Sequence, residues 1–220
     1  HERLEGWAAG MHLLSHSLAD RKDVKHLLEG LQGSFSSIVE YLMAEVLLHQ
    51  PSEMARYMVE TALLNRFCAS LCDAMHGREV GSEKSGEGND AIDGQMFIDH
   101  LDANNLFLIS LDTESRWFRY HHLFQDLLLA QADQFYSPKE ISDRHSLASE
   151  WFAEHGFINE AIRHAMAASD VARAVYLIKL HRQTMLNKDR WFIFEKWLTR
   201  IPESEIEQHP ELLLARVWTC

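Results

Sequence analysis

Apolar positions along most of this chain recur three and four apart, the spacing that puts them on one side of an α-helix. Trp7, Met11, Leu14 and Leu18 form one such stripe, which predicts a helix over residues 5–19. Phe35, Ile38, Leu42, Val46 and Leu47 form a second, over 35–49. That helix ends at Gln50-Pro51, because a proline pushes the residue before it out of the helical region. Pro51 at a first helical position, with Glu53 close behind it, suits a new start. Met54, Tyr57, Met58, Ala62 and Leu63 then line its inner face. Residues 77–90, GREVGSEKSGEGND, hold four glycines and read as a flexible loop. AIDGQMFIDHLDAN (91–104) returns to helical spacing, with Ile92, Met96, Phe97 and Leu101 inward. Asn104-Asn105 can end it, since asparagine tolerates left-handed geometry.

The period then changes. LFLISLD is short and apolar, DTES is a turn cluster, and RWFRYH alternates, which together predict a β-hairpin. A helix over 121–134 follows, with Leu123, Phe124, Leu127 and Leu128 on one side. Three helices followed by a hairpin is the order of a winged-helix module. From Ser137-Pro138 onward the pattern is helical only. SPKE is a start signal, with Ser137 as N-cap, Pro138 at the first position and Glu140 two later. Leu147, Trp151 and Phe152 lead to a break at His155-Gly156, and Ala161, Ile162, Ala165 and Met166 mark the next helix. VARAVYLIKLH, WFIFEKWL and a break at Ile201-Pro202 complete a series of short helices with alanines at their crossings, the pattern of a degenerate helical-repeat array. The expected fold class is mainly α: a helical bundle and a winged helix with one β-hairpin, followed by tetratricopeptide-like repeats.

Composition narrows the function. Of 220 residues, 46% are hydrophobic, enough for a packed core, and the formal net charge is −12. Such a surface repels phosphate backbones. The helix before the hairpin, which in winged helices enters the major groove, carries Asp93, Asp99 and Asp102 and no lysine or arginine. Arg116 and Arg119 on the hairpin are too few to offset them, so DNA binding by this chain is not expected. No apolar run approaches the roughly 18 residues of a membrane span, and the start lacks a signal-peptide pattern. Cys68, Cys72 and Cys220 fit neither a disulfide framework nor a zinc site, and a cytoplasmic location is expected. The first residues look already helical and LLLARVWTC ends without a C-cap signal, so the chain reads as part of a longer polypeptide.

Candidate chemistry centres on RYHHLFQDLL (119–128), where His121 and His122 sit between a strand and a helix. A helix start offers backbone N–H groups and the positive end of the helix dipole, which suits an anion. The same dipole disfavours a charged imidazole, so a neutral donor is expected. The plainer alternative has His121 bonded to local backbone and His122 facing solvent. Adjacent histidines on a helix point about 100° apart and rarely share one metal ion. His12 and His16 stand at i, i+4, a workable ligand pair without an evident third ligand. Glu40, Glu45, Asp99 and Asp102 read as solvated helix faces, and Ser34, Ser36 and Ser37 as helix-entry chemistry. No catalytic constellation is expected. Trp191, Phe192, Phe194 and Trp197 place apolar groups on more than one side of their helix, which leaves part of it to a neighbouring domain.

Taken in order, EGWAAGMHLL, EYLMAEVLLHQP, LLNRFCASLCDAM, LDANNLFLISLD, RWFRYHHLFQDLL and EWFAEHGFINEAIRHAMAASD resemble the MalT-like ATP-dependent regulators with LuxR-type DNA-binding ends, over nearly the whole chain. The resemblance implies membership of the STAND class of signalling NTPases. It implies an upstream P-loop ATPase and helical domain, a winged helix, an inducer-sensing superhelix and a downstream helix-turn-helix. In that scheme residues 1–50 end the helical domain, 51–136 form the winged helix with loop 77–90, and 137–220 begin the superhelix. YHHLFQDLL partly matches the class motif His-Asp-Leu-x-x-Asp-Leu: His121, Leu123, Asp126 and Leu127 fit, and His122 replaces the aspartate. The resemblance makes His121 a sensor of nucleotide phosphate in the full-length protein. Gly10-Met11-His12-Leu13 would lie near the adenine, although a core helix explains those residues more simply.

The implied cofactor is ATP or ADP in the full-length protein, with none held by these residues alone. The implied partners are the upstream NTPase, the downstream superhelix and a small-molecule or protein inducer. DNA would be reached only through a separate C-terminal domain, no membrane is involved, and the full-length protein would be able to self-associate. The expected function is regulatory coupling without catalysis. The alternative is a helical-repeat scaffold that binds proteins without nucleotide control.

Overall fold

The computed structural model describes residues 46–76, 92–187 and 191–217. The helix expected over 5–19, most of the one over 35–49, the His12–His16 pair and loop 77–90 lie outside them. The chain parts between Phe135 and Tyr136 into two compact units.

In the first unit, α1 (Ser52–Ala62), α2 (Ala69–His76) and α3 (Gly94–Ala103) precede a hairpin of β1 (Leu108–Ser110) and β2 (Phe118–Tyr120), followed by α4 (His122–Ala130) and α5 (Ala132–Phe135). This is a mainly α fold with a small antiparallel hairpin, in register Leu108↔Tyr120, Ile109↔Arg119 and Ser110↔Phe118. Phe67 pairs with the other side of β2: its N–H donates to Phe118 O at 2.8 Å, and Phe118 N–H donates back at 2.9 Å. The DTES segment turns because the Asp112 carboxylate accepts from Arg116 N–H at 2.8 Å and Ser115 adopts φ 48°.

Four details differ from the periodicity reading. Pro51 is the N-cap of α1, in extended geometry, and the helix begins at Ser52. α2 forms where no separate helix was expected; it starts on the Cys68 carbonyl, which accepts from Leu71 and Cys72 N–H. α3 begins at Gly94, where Asp93 caps it by accepting from Met96 N–H at 2.7 Å. In that phase Phe97, Ile98 and Leu101 are buried and Met96 is 53% exposed, so Ile98 takes the inward place expected for Met96. The helix after the hairpin pauses at Gln131 and restarts as α5, and only Phe124 and Leu128 of its expected apolar side are fully buried. Asn104 and Asn105 do end α3, with Asn105 at φ 50°.

The core of this unit is aromatic. Tyr57 meets Phe97 edge-on at 4.2 Å, Phe67 lies 5.0 Å from Tyr120, and Tyr120 lies 5.7 Å from Phe124. Each such ring is worth about 1.5–3 kcal/mol of burial.

The second unit is helical: α6 (Pro138–Glu154), α7 (Ile158–Ala167), α8 (Val171–Asn187), α9 (Trp191–Leu198), α10 (Glu203–Glu207) and α11 (Pro210–Val217). α6 opens with a full capping box, in which Ser137 Oγ accepts from Glu140 N–H and the Glu140 carboxylate accepts from Ser137 N–H. It closes at His155, with Gly156 left-handed at φ 79°. α7 packs on both α6 and α8, and Ala148, Ala161, Ala165 and Ala174 are fully buried on these three helices. Trp197 Nε1 donates to Asn159 Oδ1, fixing α9 to α7, and Lys179 pairs with Glu211 at 2.5 Å between α8 and α11. On α9, Phe194 and Trp197 are buried while Phe192 is exposed.

Candidate functional site

The two histidines of RYHHLFQDLL sit where a strand becomes a helix. His121 is the N-cap of α4 and is nearly buried; His122 is the first helical residue and is exposed. His121 N–H donates to Phe107 O at 2.8 Å, and its own carbonyl accepts from Phe124 and Gln125 N–H at 3.0 and 2.9 Å. Its ring does not cap the helix; it lies against the His122 ring, 4.4 Å between centroids. Phe107 holds its carbonyl in place from a left-handed conformation, φ 56°, which a bulky residue rarely adopts. Its ring packs on Phe124 at 4.7 Å, a contact that offsets part of that strain.

The end of α1 secures both sides of His121. Thr61 Oγ donates its one proton to Tyr57 O at 2.9 Å, so the Tyr120 hydroxyl donates to Thr61 Oγ at 2.8 Å. Burial pushes the Tyr120 phenol well above its ordinary range, keeping that donor protonated. On the other side, the Gln125 amide donates to Ala62 O at 2.8 Å and Leu64 O at 2.9 Å, satisfying carbonyls that the end of α1 leaves over.

Residues 43–140 match the family model for the MalT winged helix domain. This segment is a MalT-like winged helix. The whole chain, over 214 residues or 97% of its length, is 29% identical to the serine/threonine-protein kinase PknK of Mycobacterium tuberculosis, of which it covers 18%. It is 30% identical over 215 residues to the HTH-type transcriptional regulator MalT of Klebsiella pneumoniae, covering 97% of this chain and 22% of that one. For MalT of Yersinia enterocolitica the identity is 30% over 222 residues, covering 99% and 23%. The chain thus spans about a fifth of the length of these curated relatives.

The MalT-like winged helix here presents acid where a DNA reader presents base. Asp99 and Asp102 are exposed on α3. With Gln95, Ser110 and Ser115 they rim a dent of about 190 Å³, floored by Ile98, Leu108 and Phe118. Among the described residues no three His, Cys, Asp or Glu side chains converge as metal ligands, and no helix is long and apolar enough to cross a membrane.

Two buried polar pairs went unmarked in the sequence. Glu60, fully buried on α1, meets His76 Nδ1 of α2 at 3.1 Å, and Tyr57 stands edge-on to the same imidazole at 4.1 Å. Burial, reinforced by the negative charges of Asp73, Glu60 and Asp93, holds the Tyr57 phenol protonated. In the second unit His145 and His164 meet at 2.9 Å. Burial, then Arg163, then His145, press the His164 pKa down to about 3. Neither pair has a local signature, because its members are 16 and 19 residues apart.

Proposed function

We propose that this chain couples the nucleotide state of an upstream P-loop NTPase to an inducer-sensing, tetratricopeptide-like superhelix, of which residues 137–220 are the beginning, and has no catalysis of its own. One observation carries the reading: the same stretch, at nearly equal identity, occurs in a transcriptional regulator and in a protein kinase. A module shared by proteins with different outputs does the work common to both, which is to relay a state rather than to read DNA or transfer phosphate. The acidic face of α3 supports the same conclusion, since phosphate backbones would be repelled there.

Within this reading His121 senses the phosphate of bound ADP, with ATP and ADP as the cofactors of the intact protein. Its place at the start of α4, braced on both sides by the end of α1, suits a group whose small displacement must be felt elsewhere. A hydrogen bond to charged phosphate is worth about 1.5–3 kcal/mol, roughly ten- to a hundredfold in an equilibrium. His121→Ala in the full-length protein is therefore expected to weaken ADP retention by about that factor, while His122→Ala leaves it nearly unchanged. Equal ADP affinity in wild type and His121→Ala would remove the sensor role.

A second reading, a protein-binding scaffold without nucleotide control, draws on Tyr176, Leu180 and Leu214, which are exposed in the second unit. It predicts partner binding confined to residues after 140 and indifferent to nucleotide.

A further inference from the structure

The seam between α6 and α7 carries a hydrogen-bond chain with only one workable arrangement of protons. His145 Nδ1 and His164 Nδ1 stand 2.9 Å apart. His164 is 2% exposed, and its ring stacks on Phe152 at 5.4 Å and 18°. At its far edge Arg163 Nη2 lies 3.2 Å from His164 Nε2. A guanidinium only donates, so Nε2 is the bare nitrogen and His164 carries its proton on Nδ1. That proton is donated to His145 Nδ1, which must also be bare. His145 therefore keeps its own proton on Nε2.

Every link requires neutral rings. A proton added to His145 Nδ1 would set two N–H groups against each other, and one added to His164 Nε2 would face the guanidinium. The surroundings offer no relief. Arg163 bears on both rings from α7. Arg173 reaches in from α8 to donate to Ser149 Oγ at 3.3 Å, one turn along α6 from His145. Arg144 of α6 is turned onto the Tyr136 ring. Asp143 and Glu150 on α6, and Glu160 on α7, do not offset this, for both imidazoles remain harder to protonate than a free histidine.

We propose that the His145–His164 pair is an acid-sensitive catch between the first two helices of the second unit, closed while both imidazoles are neutral and forced open when a proton enters. The direction follows from linkage. Both folded-state pKa values lie below the ordinary 6.5, that of His164 at about 3. The folded seam thus binds fewer protons than the opened one. Its stability is complete above about pH 6.5 and is lost progressively as the pH falls toward 3. Between pH 7.5 and 5.5 His164 is expected to raise the opening equilibrium by roughly tenfold, and His145 adds to it in the same direction.

Two measurements on the 220-residue chain test this. Imidazole ¹⁵N–¹H correlation spectra should show His164 protonated at Nδ1 and His145 at Nε2, with His164 still neutral at pH 5.5. Backbone hydrogen exchange, corrected for its intrinsic pH dependence, should show α6 and α7 opening about ten- to a hundredfold more at pH 5.5 than at 7.5. The double variant His145→Leu/His164→Leu should flatten that slope, and Arg163→Gln should raise the pH at which His164 takes a proton. An Nε2–H tautomer at His164, an ordinary midpoint near 6.5 in the folded chain, or an undiminished slope in the double variant would each overturn the catch. Should the double variant not fold, the wild-type tautomers still decide.

Discussion

Gly94 acts through what it lacks. A methyl group there would stand 2.1 Å from the backbone oxygen of Ala69, and the Gly94 N–H donates to Asp73 at 2.6 Å, so the starts of α2 and α3 touch backbone to backbone. Gly94→Ala is expected to cost about 1–3 kcal/mol, since a backbone oxygen cannot swing aside as a side chain would. A urea titration would register this as a lower midpoint, and an unchanged midpoint would mean that the two helices part easily. None of it was legible in AIDGQ, where the glycine reads as one more position in a helical run. The same holds for Glu60 and His164. Helical spacing marks apolar residues as inward and charged ones as outward, and it fails where a helix has little solvent side. Glu60 and His164 become intelligible only once His76 and His145 are seen opposite them. His121 was legible as a strand-to-helix junction, but not its bracing, which comes from Thr61, Ala62 and Leu64 about sixty residues away.

Elements with strong local chemistry were the legible ones. The hairpin announces itself by alternation and by Asp112 in its turn, and α6 by Ser137, Pro138 and Glu140. The Ser137–Glu140 box is expected to contribute about 1 kcal/mol, so Ser137→Ala should lower the thermal midpoint of the second unit while Ser137→Asp largely restores it. An unaltered melt in Ser137→Ala would show that the start of α6 is set by packing alone. α2 was missed for a physical reason. It is short, and its buried residues Leu71, Cys72 and Met75 make too brief a stripe to stand out from the preceding LLNRF. Met96 and Ile98 exchanged places because the Asp93 cap, rather than the apolar count, sets where α3 begins and hence which face it buries.

Across the whole chain, charge does more than shape to limit function. With a net charge of −12 and exposed Asp99 and Asp102 on α3, the 220 residues alone are expected not to bind duplex oligonucleotides at about 0.15 M salt. Fluorescence anisotropy would check this, and tight binding that weakened as salt was added would contradict it. The relay role proposed for the MalT-like winged helix therefore has to be transmitted through its interior. From Tyr57 to Ala62, α1 buries six residues in a row. A rod with no wet side along this length offers nothing for a partner to grip and cannot roll in its seat without tearing its own packing. Its far end is tied to Tyr120 on one shoulder of His121 and to Gln125 on the other. A push that shifts the rod must carry both shoulders with it, so His121 travels as a passenger on a crankshaft rather than swinging free on a pivot.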